Sequence, residues 1–513
     1  MHRLIMSRSW VVILALVAIL HVNVVVVVRA ARLPSQGKQL LDNNFAAVVP
    51  QVDVVDDDVR DGGIVSLVRL AFAGINDQGR STGVSISWST PANMDPGAFK
   101  SVVLMGTEPG NYSIRHENTG EKSQVTYLPG GSAHHHVVVL DLLPGTRYYY
   151  KCGEDSDMTL MSKEFSFVTE PEDISKTSFT VAVWGDMGQG ECSNGTRTQL
   201  AKKYGEYDWA WHLGDIAYQD DWLFFDKAAY EGVLDDYMAS MEFITATKPY
   251  MVLPGNHEVD CHSMFCILDS TYRNALRNFT AYNARWRMPS EETGGVMNMW
   301  YSFNYGPAHF VSMDAETDFP GAYENVHDEF FLLDSGHFNP TPNAYLEWLE
   351  RDLRGVNRTQ RPWLIAAGHR PMYLYENATV LRAAVEDLLV KYDVDLYLSG
   401  HIHRYYRTYP ARDGQCVKGY TAEDREGRVV NIVTGGPGAI DRPMMGLGAA
   451  WTKAKGWLAG GGWGAGGVDQ DLVAKETTEK SFGLLSVMNA TAIRWELVSG
   501  VTGDTIDELV LTK

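Results

Sequence analysis

Five apolar runs in the middle of this chain each stop at a glycine, and behind each glycine stands a side chain that can hold a metal ion. Residues 209–213 run Trp-Ala-Trp-His-Leu, Gly214 ends the run, and Asp215 and Tyr218 follow. An isolated Gly-Asp-x-x-Tyr is an ordinary β-turn, but a turn needs only one polar group. Aspartate offers two oxygens and can bridge two cations. Tyrosine becomes a ligand only when its phenol, which titrates near about 10, loses its proton, and a trivalent ion brings that about. The pattern recurs. Asp186 follows 178–184 through Gly185, Asn256 and His257 follow 250–253 through Gly255, His369 follows 363–367 through Gly368, and His401 and His403 follow 394–399 through Gly400. A single histidine after a strand is usually a satisfied core residue. Five coincidences are not accounted for in that way, and the carboxyl ends of strands in α/β sheets are where ligands gather.

Asp186, Asp215, Tyr218, Asn256, His369, His401 and His403 make seven donors, with His257 to spare. Seven exceed the needs of one ion and suffice for two if a carboxylate bridges. Oxygen and imidazole donors without thiolate suit iron, zinc or manganese. Two such ions about 3.5–4 Å apart clamp a phosphoryl group and generate a hydroxide between them.

Helix-compatible stretches separate these strands, at 196–207, 224–245, 343–354 and 380–392. Strand, helix, strand at this rhythm predicts βαβ units and a largely parallel catalytic domain over 177–480. Residues 300–304 and 308–314 read as a hairpin, and 446–467, rich in Gly, Ala and Trp, as a surface loop. Segment 481–513 returns to strands and is expected to pack on the catalytic domain. Upstream, 64–171 is a different fabric: short alternating runs at 83–90, 101–105, 135–140, 147–151 and 164–169, separated by Pro-Gly turns. That spacing predicts a β-sandwich with Trp88 in its core. His134, His135 and His136 are not read as a metal tract, because three successive residues of a strand cannot share a face.

The chain has 513 residues, enough for two or three domains. Its formal net charge of −20 argues against nucleic acid or an anionic membrane as partner, so an anion site must carry its own local positive charge. Residues 1–30 have the basic start, apolar stretch and small-residue end of a signal peptide, with an uncleaved anchor as the alternative. Residues 31–63 read as a propeptide or flexible lead. Sequons at Asn111, Asn194, Asn278, Asn357, Asn377 and Asn489 fit a secretory route. Of the five cysteines, Cys261 and Cys266 are spaced to close a small loop disulfide, and Cys152, Cys192 and Cys416 are left unassigned.

Gly185-Asp-Met-Gly188, Gly214-Asp-Ile-Ala-Tyr218, Gly255-Asn-His-Glu258, Gly368-His-Arg-Pro371 and Gly400-His-Ile-His-Arg-Tyr405 resemble, in order, the five blocks of purple acid phosphatases, within the calcineurin-like metallophosphoesterases. Leu143-Pro-Gly-Thr-Arg-Tyr-Tyr-Tyr150 resembles the fibronectin type III signature around its tyrosine corner. The resemblance implies an α/β metallophosphoesterase sandwich of βαβ units and mixed sheets, preceded by an all-β fibronectin type III-like domain. It implies a ferric site of Asp186, Asp215, Tyr218 and His403, and a divalent site (iron, zinc or manganese) of Asp215, Asn256, His369 and His401, bridged by Asp215. Departures accompany it. Tyr406 stands where the family usually has Glu, residues 371–379 lack the further histidine of plant-type members, and the insert 259–285 is more similar to fungal-type secreted members.

The reaction so implied is hydrolysis of phosphate monoesters by a metal-bound hydroxide in a secreted acid phosphatase, with His257 donating a proton to the leaving group. The partner is a small phosphorylated substrate. No membrane span is expected after signal cleavage, and a homodimer is left open. A phosphodiesterase, nucleotide or phytate hydrolase on the same site is one alternative; a non-catalytic secreted binding protein is another.

Overall fold

The computed structural model describes residues 64–74, 83–91, 99–118, 124–128, 131–174, 177–221, 228–259, 270–322, 341, 343–375, 378–439 and 470–513. The targeting segment 1–30, the lead 31–63, the Cys261–Cys266 pair, Asn377 and the loop 446–467 lie outside them. Among the described residues no helix is long and apolar enough to cross a membrane.

Alternating side chains build the N-terminal layers. One sheet holds β1 (Ser66–Phe72), β2 (Val84–Thr90), β6 (Ala133–Val139) and β5 (Gln124–Val125), in the order β1-β2-β6-β5. The other holds β3 (Ser101–Gly106), β4 (Ile114–Asn118), β7 (Arg147–Gly153) and β8 (Phe165–Val168), in the order β4-β3-β7-β8. Ile86, Trp88, Val103, Met105, Tyr150 and Phe167 fill the space between them, with Trp88 fully buried. The Tyr148 hydroxyl accepts the Leu143 N–H at 3.0 Å, pinning the turn into β7 as a tyrosine corner does. The three histidines of β6 are buried and committed to hydroxyls. His134 Nδ1 lies 2.9 Å from Ser89 Oγ, His135 Nε2 2.8 Å from Thr90 Oγ1, and His136 Nδ1 2.8 Å from Ser87 Oγ.

From residue 177 two mixed sheets face each other. The first has six strands: β9 (Phe179–Trp184), β11 (Trp209–His212), β13 (Tyr250–Val252), β23 (Ser481–Asn489), β24 (Ala492–Ser499) and β25 (Thr505–Thr512). Their order is β13-β11-β9-β23-β24-β25. β9, β11 and β13 are parallel, and the last three strands continue antiparallel from β9. The second has seven: β14 (Tyr301–Tyr305), β15 (Ala308–Ser312), β16 (Trp363–Ala367), β17 (Leu396–Ser399), β18 (Tyr405–Thr408), β21 (Val430–Thr434) and β22 (Val473–Thr477). β15, β16, β17 and β21 are parallel. Two-residue ribbons account for β10 (Met187–Gly188) with β12 (Ile216–Ala217), and β19 (Ala411–Arg412) with β20 (Gln415–Cys416). The expected helices appear as α1 (Asn194–Lys202), α2 (Ala228–Thr245), α3 (Ala344–Gly355) and α4 (Ala378–Lys391). Period-two alternation aims Trp209 and Trp211 of β11 at Phe310 of β15, with ring centroids 4.9 and 5.7 Å apart. These edge-on aromatics fasten sheet to sheet.

The change of architecture near 171–177 is not a break in packing. Tyr150 Oη donates to the Ala246 carbonyl at 2.8 Å, the Thr245 hydroxyl to the Val68 carbonyl at 2.7 Å, and the Val68 N–H to Glu242 at 3.0 Å. Arg285 is buried between the two architectures, bound to Glu231 at 2.8 Å, Asp235 at 2.7 Å and the Tyr127 hydroxyl at 2.9 Å.

Candidate metal centre

Every singled-out donor follows a parallel strand. Asp186, Asp215 and Asn256 leave β9, β11 and β13 of the first sheet; His369, and His401 with His403, leave β16 and β17 of the second. The two sheets bring these ends together. Tyr218 Oη lies 3.0 Å from Asp186 Oδ1, 3.3 Å from Asp215 Oδ2 and 2.7 Å from His403 Nε2. On the other side of Asp215, its Oδ2 is 3.1 Å from His369 Nε2, and Asn256 Oδ1 is 3.1 Å from His369 Nε2 and 2.9 Å from His401 Nδ1. Two groups of metal-competent atoms result, Asp186–Asp215–His403 and Asp215–His369–His401, and Asp215 belongs to both.

The backbone is bent to achieve this. Asp186, Asp215, Tyr218 and His401 have φ of +59°, +54°, +55° and +67°, a left-handed region that side chains enter at a cost of about 1–3 kcal/mol each. Glycine makes room alongside: a Cβ at Gly255 would stand 2.3 Å from Asp215 Oδ1, and one at Gly400 2.3 Å from Asp186 Oδ2. The run-ending glycines thus do more than stop strands, since they let carboxylates lie against backbone.

Supporting residues surround these donors, and of them Asp220, Glu316 and Gly435 are not singled out by the sequence. Asp220, buried, lies 2.9 Å from His257 Nδ1 through either oxygen. This leaves His257 Nε2 on the Asp215 side, 3.9 Å from Oδ2. Glu258 accepts the N–H groups of Asp215, Ile216 and Gly255 at 2.8, 2.7 and 2.8 Å, locking the second block to the third. Burial, and then the Asp215 charge, push its carboxyl above the usual range. Arg370 and Glu316 form a fully buried ion pair at 2.9 Å, and Arg370 Nη1 reaches 3.3 Å from His401 Nε2. Gly435, after β21, would place a Cβ 2.7 Å from Asp186 Oδ2. It marks a sixth strand end, one that offers the centre space and no ligand. Tyr406, in the place of the family's Glu, lies under Arg404, whose Nη1 donates to its hydroxyl at 2.9 Å.

The donor set fits a pair of cations. Two carboxylates almost wholly out of solvent, Asp186 and Asp215, converge on one phenol, and carboxylates so placed require compensation. Burial works to raise the Asp215 carboxyl, and His369 and then His257 overcome it and hold it well below the usual range. Oxygen and imidazole donors in two groups with a shared aspartate suit borderline-hard metals. Of the sequon asparagines, Asn111, Asn194, Asn278, Asn357 and Asn489 are exposed.

Paired mixed sheets with metal-competent side chains at their facing strand ends are the architecture of a metallophosphoesterase, and residues 179–405 match the calcineurin-like phosphoesterase family. Residues 67–169 match the purple acid phosphatase N-terminal domain. The chain is 31% identical to an acid phosphatase of Aspergillus ficuum over 84% of its own length and 85% of the relative's. It is 31% identical to acid phosphatase type 7 of Homo sapiens, over 71% and 77%. The purple acid phosphatase isolated from yellow lupin seeds shares its fold with a TM-score of 0.62 at 21% identity, over 88% of this chain and 74% of that one. The chain belongs to the purple acid phosphatase family.

Proposed function

We propose that this chain is a secreted acid phosphatase that hydrolyses phosphate monoesters at a binuclear centre. One ion, ferric, is held by Asp186, Asp215, Tyr218 and His403. The other, iron, zinc or manganese in the divalent state, is held by Asp215, Asn256, His369 and His401. The observation that carries the reading is the sharing of Asp215 between two donor groups drawn from two sheets. Such a pair, when bound, withdraws charge from the phosphoryl oxygens and acidifies water at low pH.

The chain's own residues do the rest. Asp215 spans the two groups and keeps them in register. Tyr218 would present its Oη, 2.7 Å from His403 Nε2, as a phenolate donor once its proton has passed to solvent. His257, its Nδ1 engaged by Asp220, presents Nε2 to the site and delivers a proton from that atom to the departing alkoxide. The exposed sequon asparagines support passage through the secretory route.

Metal analysis and visible spectroscopy of the purified protein test the centre. Two metal ions per chain, one of them iron, and a visible band that Tyr218→Phe abolishes while the fold persists are expected. An iron-loaded wild type with no visible absorption would sink the assignment.

A further inference from the structure

The loop that follows His369 is unusual in what it shows to solvent. Pro371, Met372, Tyr373 and Leu374 are buried, and the Tyr373 hydroxyl is bound to Glu386. Leu374 then adopts a φ of +75°, a conformation uncommon outside glycine, and Tyr375 comes out partly exposed. Its ring centroid lies 5.3 Å from that of His401, with the planes at 71°. His401 is itself half-buried and joined through Nδ1 to Asn256 at 2.9 Å. Tyr375 therefore borders the Asp215–His369–His401 group on a side that solvent, and so substrate, can reach. Residues 371–379 contain no histidine, so at this border the described part of the loop presents a phenol ring.

We propose that Tyr375 is a specificity-determining residue whose ring forms the wall against which the leaving group rests, favouring aryl over alkyl phosphate monoesters. The inference rests on the phosphatase reading above. Phosphate itself is recognised by charge and is alike in every monoester, so discrimination in binding, as distinct from leaving-group reactivity, must come from what contacts the ester's organic part. An aromatic ring beside the centre gains from an aryl group both the burial of apolar surface and the edge or offset contacts that aromatic pairs prefer. An aliphatic ring of the same size gains the burial alone.

The test compares phenyl phosphate with cyclohexyl phosphate as substrates and inorganic phosphate as inhibitor, on wild type, Tyr375→Phe and Tyr375→Ala. Tyr375→Ala is expected to raise KM for phenyl phosphate about three- to tenfold. It should raise KM for cyclohexyl phosphate less, and leave the inhibition constant of inorganic phosphate and the metal content unchanged. Tyr375→Phe, which keeps the ring, should retain the wild-type preference. Equal losses on both esters, a loss of metal, weaker inhibition by phosphate, or a Tyr375→Phe variant as impaired as Tyr375→Ala would each overturn the proposal, because Tyr375 would then be propping His401 or acting through its hydroxyl. A wild type that hydrolyses neither ester, nor nitrophenyl phosphate, rejects the phosphatase reading instead.

Discussion

His257 lies one residue beyond a proposed ligand and its ring is 4.4 Å, centroid to centroid, from that of Tyr218, so two roles compete for it: proton donor or mere spacer. The Asp220 carboxylate favours the first, because an acceptor at Nδ1 fixes the tautomer and turns Nε2 towards the site. His257→Ala is expected to slow hydrolysis of an alkyl phosphate by about 10²–10⁴-fold. The loss on nitrophenyl phosphate should be much smaller, since nitrophenolate departs without a proton. Asp220→Asn should reproduce the same split more weakly, with metal content unchanged; equal losses on both esters in either variant would reject the donor role. Glu258, whose carboxyl group takes three backbone N–H groups, is bound too fully to replace it. Of this constellation the sequence singles out the candidate ligands and conceals most of the supports. Asp186, Asp215 and the histidines are legible because each sits one to three residues behind a glycine that ends an apolar run. Asp220 and Glu316 carry no such local mark, and Gly435, though it ends the run of β21, is followed by no donor; what makes them part of the centre is a partner far along the chain.

Strand β6 shows how an element can mislead by composition. Three consecutive histidines invite a metal, yet each is buried and held by a serine or threonine of the neighbouring strands, and His136 Nε2 also lies 3.0 Å from the Ala284 carbonyl. Burial, and then the Arg69 guanidinium, push His135 and His136 down to about 3. A histidine depressed in the folded state stays neutral there, while the unfolded chain takes up a proton below about 6.5. Stability is therefore complete above that pH and declines as pH falls from about 6.5 towards about 3, by about 1.4 kcal/mol per pH unit for each histidine. Denaturant unfolding between pH 7 and pH 4 measures this. His135→Gln, which keeps a polar partner for Thr90 and Ser101, should make the decline shallower; an unchanged slope would show that the titrating groups lie elsewhere. The sandwich itself was readable from alternation and turns. Its seam with the α/β layers, around Arg285 and Tyr127, was not, because buried salt bridges between distant residues have no period.

For the molecule as a whole, the last strands matter more than a segment resting on a finished domain would. β23 lies between β9 and β24, so residues 481–513 supply half of the first sheet, including the hydrogen-bonded neighbour of the strand that carries Asp186. Tyr405 and Arg407, just past His403, are both held by Asp507 of β25, at 2.7 Å. A chain ending at residue 480 is expected to be insoluble and to bind no metal; a soluble, metal-loaded product would show the strands to be dispensable. The longer strands and the parallel rhythm of 177–403 could be read in advance, whereas the two-residue strands β10 and β12 and the return of the C-terminus to pair beside β9 could not, because strand order is set by tertiary packing and leaves no local signature.

That return has a consequence in time. A ribosome releases β9, β11 and β13 long before it releases β23, and in the interval the edge of β9 stands without its antiparallel partner. Pairings so distant in sequence form late. Asp186 is thus the first of the proposed ligands to be synthesised, at the end of a strand that is bordered on both sides only once residues 481–489 have followed.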